Sequence, residues 1–297
     1  MVENINYSYT ELLKLTDALI KKYPFIKKIT LSKSCAGREI FALKVGRLKN
    51  CSLIAAAFHG SEHITTNIAM YFLSELASAL FTDSPLGGIR VTEAFKNCGV
   101  IIVPRVNPDG CEISINGAAC AGGFSGFVKK ASLGDTLHWN ANARGIDINH
   151  NFAADFQNVK ITERRHGILS PGPTKFGGTR PESEPETAAL CSLCRTVNFK
   201  QVLALHTQGE VIYYTFGNKN PRNSEQMAQI MATASNYALD IPKGTAVGGG
   251  FKDWFIEEFG RPGFTVEAGL GENPLDIGKA REIYERIRSM LTLFTIM

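Results

Sequence analysis

Short apolar runs alternate with amphipathic segments along the chain, and this alternation limits the folds that it can adopt. Ile40 to Val45, Leu53 to Phe58 and Val100 to Val103 are short and rich in apolar residues, as buried strands are. Tyr9 to Lys21 and Ile277 to Leu293 carry apolar residues near helical spacing. Strands that alternate with helices predict a three-layer α/β/α fold, in which helices cover both faces of a mixed, mostly parallel sheet.

Three other segments predict local structure. Thr65 to Leu80 is typical of a helix, capped by one of its first two threonines, and Ser183-Glu-Pro-Glu predicts a helix with Ser183 as its N-cap. The glycine-rich, polar stretch from Asn107 to Trp139 predicts an elaborated surface loop. Because no repeat, low-complexity tract or linker divides the sequence, we expect one domain over residues 1–297.

The composition and charge exclude several classes of protein. Hydrophobic residues make up 44% and charged residues 20% of the 297 positions, so the chain is not a disordered polymer. The net charge of +4, from 32 basic and 28 acidic side chains, is too small for the concentrated basic face of a nucleic-acid-binding protein. The apolar runs are shorter than the roughly 20 residues of a membrane span, so we expect no membrane segment.

The seven cysteines indicate a reducing compartment. Their odd number and irregular spacing argue against a disulfide framework, and the first 27 residues contain no uninterrupted apolar run typical of a secretory signal. The one close pair, Cys191 and Cys194, lies in a helix-like run and predicts two half-buried thiols on one helical face rather than a zinc knuckle. We therefore expect a cytoplasmic protein.

Three predicted strands lead directly into polar residues, and these strands are Leu53 to Phe58, Val202 to Leu205 and Phe264 to Val266. These residues are His59, with Glu62 three positions later, then His206, and then Glu267. Because the carboxyl ends of strands in an open α/β sheet meet at one crevice, we expect these four side chains to lie together. A single HxxE pair, or a single histidine at a strand end, is more often structural. Two imidazoles and two carboxylates at one edge, however, are the side-chain types that bind a metal ion. His59, Glu62 and His206 can hold a catalytic zinc ion, and Glu267 remains free to take a proton from water.

The order of the sequence motifs carries the interpretation further. The chain resembles the M14 zinc metallocarboxypeptidases in a series of motifs that runs His59-Gly-Ser-Glu62, Asn107-Pro-Asp-Gly110, Arg144-Gly-Ile-Asp-Ile-Asn-His-Asn-Phe152, His206, Asp253-Trp254 and Thr265-Val-Glu267. The resemblance implies a single α/β/α domain around an eight-stranded mixed sheet, with one zinc ion and peptidase activity.

The resemblance also implies a role for each matching residue. It makes His59, Glu62 and His206 the zinc ligands and Glu267 the general base for attack of water on a peptide carbonyl. It makes Asp147 the acid that orients a ligand histidine by fixing its tautomer and ring direction. The ligand and base roles agree with the reading of the strand ends.

Two positions depart from the pattern of the family. Asn140 stands where the family has a basic residue that stabilises the oxyanion, and loss of one such donor costs on the order of 3 kcal/mol elsewhere. Zinc or Arg144 could compensate for that loss. Asn149 and His150 stand where an Asn-Arg pair grips the terminal carboxylate of the substrate, and a histidine makes a weaker clamp that depends on pH.

Lys252 indicates the class of substrate. It occupies the position that faces the substrate's terminal residue in this family, and a lysine there predicts a preference for a carboxylate-bearing side chain. Two motifs resemble the γ-D-glutamyl-meso-diaminopimelate peptidase branch of the family. They are the Gly248-Gly-Gly250 run, which has no tyrosine near it, and the Arg144-Gly-Ile-Asp147 motif. We therefore predict a zinc peptidase that acts on murein peptides.

Two alternatives stay open at this stage. One is an amidohydrolase of N-acyl amino acids, of the succinylglutamate desuccinylase or aspartoacylase type, which shares a similar HGxE and a later histidine. The other is a zinc-retaining binding protein with little turnover, supported by Asn140 and His150 alone. The motifs are compatible with exo- and endopeptidase action and with any oligomeric state.

Overall fold

A mixed sheet forms the middle layer of the computed structural model, which describes residues 2–297. Over these residues the sheet has eight strands, which are β1 (Lys27–Lys33), β2 (Glu39–Gly46), β3 (Cys51–Ala56), β4 (Gly99–Val103), β5 (Gln201–His206), β6 (Val211–Tyr213), β7 (Ala238–Leu239) and β8 (Gly263–Glu267). The α-helices of the same residues are α1 (Tyr9–Lys22), α2 (Ile64–Thr82), α3 (Val91–Phe95), α4 (Pro108–Asn116), α5 (Ser125–Ala131), α6 (Phe156–Arg165), α7 (Pro185–Thr196), α8 (Ser224–Ser235), α9 (Phe251–Phe259) and α10 (Ala280–Ile296). The α/β/α prediction is confirmed.

The strand order explains where the ends of the strands meet. The order across the sheet is β1-β2-β4-β3-β5-β8-β6-β7. Strands β4, β3, β5 and β8 are parallel neighbours. The pairs β1–β2, β2–β4 and β6–β8 are antiparallel, and β6 pairs parallel with β7. The carboxyl ends of β3, β5 and β8 therefore lie side by side at one edge of the sheet, as the sequence predicted.

Two apolar cores lie on opposite faces of the sheet, because successive side chains of a strand alternate in direction. On β3, Ile54 packs in the core that includes α1, α2, α8 and α10, whereas Leu53 packs in the core that includes α7 and α9. Cys191 and Cys194 of α7 are free thiols, as expected, but both are fully buried in the second core rather than half-buried. Burial of each large apolar side chain contributes about 1.5–3 kcal/mol to folding.

Helix α2 corrects the expectation that no apolar segment is long enough to span a membrane. The segment Gly60–Thr82 has 23 residues and a mean hydropathy of 1.2, which meets the length and composition of a span. However, 72% of this apolar window is buried inside the fold, where α2 packs against β3, β4 and α10. A core helix of a layered protein meets the same criterion, and α2 is such a helix.

Three local expectations were wrong. Helix α2 begins at Ile64 with His63 as its N-cap, so neither Thr65 nor Thr66 caps it. The stretch from Asn107 to Trp139 is largely helical rather than a loop, because Asn107 caps α4 by accepting from the backbone N–H of Gly110 and Pro108 occupies the first turn. The N-cap of α7 is Glu184 rather than Ser183. The Ser183 hydroxyl is engaged elsewhere, since it accepts from Asn151 and donates to Glu184.

Candidate active site

The ends of three parallel strands deliver the predicted ligands and base to one place. His59 follows β3 and precedes a short 3₁₀ turn, Gly60–Glu62, which carries Glu62 back toward it. His206 is the last residue of β5, and it pairs in register with Glu267, the last residue of β8. The separation of 144 positions between Glu62 and His206 is thus closed by the parallel pairing of β3 with β5.

His59 and His206 both direct their Nδ1 atoms toward the Glu62 carboxylate. The Nδ1 atom of His59 lies 2.8 Å from Oε1 of Glu62, and the Nδ1 atom of His206 lies 2.9 Å from Oε2. One ligand atom from each of the three residues lies within 4.8 Å of the other two. Two imidazole nitrogens and a carboxylate, with room for a fourth partner in the cavity beside them, match the donor set of a catalytic zinc site.

The charges of this group also favour a bound cation. Burial opposes the charged form of His59, but the Glu62 and Asp147 carboxylates outweigh it and raise the pKa of this imidazole. Burial likewise opposes ionisation of Glu62, yet His59 and His206 lower the pKa of its carboxyl. The cluster therefore favours an ionised carboxylate and positive charge beside it, as a site for a divalent cation does.

Asp147 lies behind the His59 ring, where its carboxylate contacts the nitrogen that does not face Glu62. Its Oδ1 atom lies 3.3 Å from Nε2 of His59, on the side of the ring opposite Glu62. Its other oxygen accepts from the backbone N–H of Lys175 at 2.7 Å and from the Thr174 hydroxyl at 3.4 Å. An ionised Asp147 makes Nε2 the protonated nitrogen and leaves Nδ1 free to bind a metal. Burial opposes this ionisation, but His59 and His150 lower the pKa of the Asp147 carboxyl.

Glu267 has the properties of a general base. Its removal from water raises the pKa of the carboxyl to about 7, with Glu62 adding to the rise and His206 opposing it. A carboxylate whose pKa lies near the working pH both accepts and returns a proton efficiently. Glu267 faces the same cavity as His59 and His206.

A single cavity joins the metal-site residues to most of the predicted substrate-binding residues. Asn140, Asn149, His150 and Lys252 all lie in its wall, but Arg144 does not. Its lining consists of His59, Glu62, Asn140, Asp147, Asn149, His150, Thr174, Lys175, His206, Tyr213, Pro242, Ala246, Gly248, Gly250, Phe251, Lys252, Asp253, Thr265 and Glu267. The Arg144 guanidinium lies instead 3.4 Å from Glu184, and its role in substrate binding stays a prediction.

The two asparagines of the wall are held in defined orientations. The Asn140 side-chain oxygen accepts from the Ser61 hydroxyl, which leaves its amide N–H₂ as a donor for the cavity. The Asn149 oxygen accepts from the backbone N–H of Phe251 at 3.0 Å, and its Nδ2 lies 3.4 Å from Nε2 of His206. Asn149 therefore contacts a metal-site imidazole, a contact that the motif alone does not reveal.

The basic residues of the wall differ in how far their charge is compensated. Burial lowers the pKa of His150, and its Nδ1 is buried without a hydrogen-bond partner among the described residues. The Lys252 ammonium forms an ion pair with Asp253 and donates to the carbonyl oxygen of Thr215. Lys175, which sequence reasoning missed, has an exposed side chain, and no motif or periodicity in its segment marks it as part of the site.

A second buried group of acids lies outside the cavity. Cys35, Glu184 and Glu186 place ligand-type atoms within 4.8 Å of one another. The Asn142 side-chain nitrogen donates to all three, and its oxygen accepts from two backbone N–H groups, which fixes this orientation. Burial raises the pKa of Glu186 to about 7, with the Asp109 carboxylate as the next contribution. The amide donor and the raised pKa of Glu186 both reduce the repulsion between these buried carboxyl groups.

Comparison with known proteins gives concordant results at the level of family and fold. The family model described as zinc carboxypeptidase, peptidase M14, matches residues 12–283. The chain is 34% identical over 282 residues to gamma-D-glutamyl-L-diamino acid endopeptidase 1 of Lysinibacillus sphaericus, across 94% of this chain and 70% of that protein.

Two further similarities are weaker in sequence. Murein peptide amidase A of Escherichia coli K12 is 26% identical over 208 residues, which are 69% of this chain and 66% of that one. Bovine thrombin-activatable fibrinolysis inhibitor, in its complex with tick carboxypeptidase inhibitor, superposes with a TM-score of 0.75 at 19% identity, across 98% of this chain and 97% of that one. The structural likeness is one of fold.

Proposed function

From the premise that the chain belongs to the M14 zinc carboxypeptidase family, and is therefore a metallopeptidase, we propose that it cleaves murein peptides. The bond would be the peptide or isopeptide bond next to a carboxylate-rich C-terminal residue, in γ-D-glutamyl-meso-diaminopimelate. The observation that carries the proposal is the convergence of His59 and His206 on Glu62, in a cavity that Glu267 and basic side chains also line.

In the proposed mechanism, His59, Glu62 and His206 hold one zinc ion. When bound, zinc supplies Lewis-acid chemistry, because it makes water more acidic and polarises a carbonyl oxygen. Glu267 takes the proton of the attacking water at its carboxylate and passes it to the leaving amine, a transfer for which a pKa near 7 is suited. Asp147 holds the His59 ring in the tautomer that presents Nδ1.

The remaining residues of the wall bind the reacting groups. The Asn140 N–H₂ group, which Ser61 leaves unpaired, donates to the oxyanion that develops on the carbonyl. Asn149 and His150 position the terminal carboxylate, and His150 does so as a neutral donor because burial disfavours its charged form. Lys252 shapes the wall for the terminal residue, while its charge is held by Asp253.

The substrate class rests on the cavity and on the relatives together. Lys175 and Lys252 line the cavity, and because Asp253 holds the charge of Lys252, the cation of Lys175, which is unpaired among the described residues, supports a substrate with a second carboxylate. Two relatives carry names that refer to γ-D-glutamyl-diamino acid and murein peptide substrates. We also propose that residues 1–297 act as one catalytic domain, and that the protein works in the cytoplasm, which its seven unpaired thiols support.

The test compares three substrates with the zinc-loaded protein. We expect the murein tripeptide L-alanyl-γ-D-glutamyl-meso-diaminopimelate to be cleaved faster than a tripeptide ending in leucine or phenylalanine, and N-succinylglutamate to be left intact. Faster cleavage of the leucine or phenylalanine peptide would overturn the proposed substrate class. Turnover of N-succinylglutamate alone would favour the amidohydrolase reading.

A further inference from the structure

The positive charges of the cavity wall decide which residue can recognise an additional carboxylate. Apart from His59 and His206, which belong to the metal group, the described wall offers Lys175, Lys252 and His150. A carboxylate gains most from a cation whose charge no other group already compensates and whose donors are free. The three candidates differ sharply in this respect.

Lys252 is already paired. Its side chain is only 5% exposed, its ammonium contacts the buried Asp253 carboxylate, and one of its donors is used by the carbonyl oxygen of Thr215. A substrate carboxylate placed beside it would also approach Asp253 and be repelled. Lys252 therefore contributes shape and a nearly neutral ion pair rather than a free charge.

His150 is also a poor source of charge. Its Nδ1 is buried without a hydrogen-bond partner among residues 2–297, and burial favours the neutral imidazole. Gly177 and Gly249 approach its backbone so closely that a Cβ on either would lie 2.8 Å or less from the His150 carbonyl oxygen. The packed backbone holds His150 in place, as a neutral side chain.

Lys175 is the uncompensated cation of the cavity. Its side chain is exposed, and within the part of the chain that the structure describes its ammonium has no ion-pair or hydrogen-bond partner. Its charge is close enough to His150 to disfavour protonation of that imidazole. Lys175 therefore lies beside the neutral His150, and His150 occupies the position at which the family pattern has an arginine.

The backbone at Lys175 is held in a position that directs this residue to the cavity. Its φ of +67° is in the left-handed region, which a lysine rarely adopts, and its backbone N–H donates to Asp147 at 2.7 Å. Thr174 donates to the same carboxylate oxygen. Asp147 thus anchors both a metal-site histidine and the turn that carries Lys175, which fixes the lysine relative to the reacting centre.

We propose that Lys175 determines specificity by binding the second carboxylate of a C-terminal diacid, the group by which diaminopimelate differs from lysine. This inference rests on the proposed peptidase function and assigns its preference to one side chain. Substitution of Lys175 leaves the backbone hydrogen bond to Asp147 in place, so the side-chain charge can be tested without release of the turn.

The experiment uses the zinc-loaded protein and two tripeptides that differ only in the second carboxylate, L-alanyl-γ-D-glutamyl-meso-diaminopimelate and L-alanyl-γ-D-glutamyl-L-lysine. In Lys175→Met we expect kcat/KM for the diaminopimelate peptide to fall about 10- to 100-fold, mainly through KM, and that for the lysine peptide to change less than about 3-fold. Lys175→Arg should retain the preference, and Lys175→Glu should reverse it. Lys129→Met, which removes an exposed lysine of α5, is the matched control and should change neither value.

The possible results separate this inference from the proposed function. If the wild-type enzyme prefers the diaminopimelate peptide and Lys175→Met keeps that preference, the role of Lys175 is overturned while the peptidase proposal stands. Equal losses on both peptides assign Lys175 to a group that they share and likewise overturn the inference. A wild-type enzyme that cleaves both peptides equally well overturns this inference, whereas the peptidase proposal is refuted separately, by faster cleavage of the leucine or phenylalanine peptide.

Discussion

Replacement of Glu186 by glutamine should remove a pH-dependent loss of stability. Glu186 is fully buried beside Glu184 and Cys35, and burial, with the Asp109 carboxylate next, raises the pKa of its carboxyl from 4.5 to about 7. A glutamine side chain has the shape of the protonated acid and stays neutral at every pH. The folded wild-type protein therefore keeps a proton in a range where the unfolded chain has lost it.

The magnitude follows from the linkage of proton binding to folding. The pKa of Glu186 is higher in the folded than in the unfolded protein. The stability that the protonated Glu186 provides is therefore fully present below about pH 4.5 and is lost as the pH rises through about 7. A shift from 4.5 to about 7, at 1.36 kcal/mol per pKa unit, corresponds to a loss of about 3 kcal/mol in the free energy of unfolding. The free energy of unfolding of Glu186→Gln, measured relative to the wild type, should therefore rise by about 3 kcal/mol between pH 4.5 and pH 8.5.

The measurement is urea unfolding of both proteins at pH 4.5 and pH 8.5 under identical zinc conditions, with Glu272→Gln, an exposed carboxylate in a loop, as the control. Titrating groups that do not contact Glu186 are common to both proteins and cancel in the difference. If the stabilities of wild type and Glu186→Gln run parallel across this pH range, Glu186 does not retain a proton in the fold and the reasoning fails.

Three further substitutions test the active site. Glu267→Gln should lower kcat about 10²- to 10⁴-fold with peptide affinity retained, as measured by steady-state kinetics and calorimetry, whereas unchanged turnover would exclude Glu267 as the base. Asp147→Asn should weaken zinc binding about 10- to 100-fold in a chelator competition, and an unaltered affinity would contradict its orienting role. Lys252→Met should lower the free energy of unfolding by about 3–5 kcal/mol at neutral pH because it leaves Asp253 buried without its cation, and a loss below 1 kcal/mol would show that the pair is not buried.

The sequence by itself supported the conclusions that depend on the spacing of apolar residues and on the order of motifs along the chain. Apolar runs such as those at 53–58 and 202–205 are buried as strands because their composition leaves no face for water, and their polar endings fall at the edge that parallel pairing creates. The motif order then predicted His59, Glu62 and His206 as one group, and the structure brings them within 4.8 Å of one another. The sequence did not predict the helices between Asn107 and Trp139, because its glycine content there suggested a loop. A capped helix start and tertiary packing favour helix in this stretch.

Only the tertiary structure decided which charges of the site are free. The sequence marked Lys252 as the specificity residue, but an ion pair with its own neighbour, Asp253, compensates the charge of that lysine. Nothing in the sequence marked Lys175, which lines the cavity and lies in a turn at 174–175 that is hydrogen-bonded to Asp147. Periodicity reports which residues are buried and at which edge of a sheet they lie. Whether a buried or cavity-facing charge is compensated depends on the direction of side chains brought together by folding, and only the three-dimensional arrangement fixes that direction.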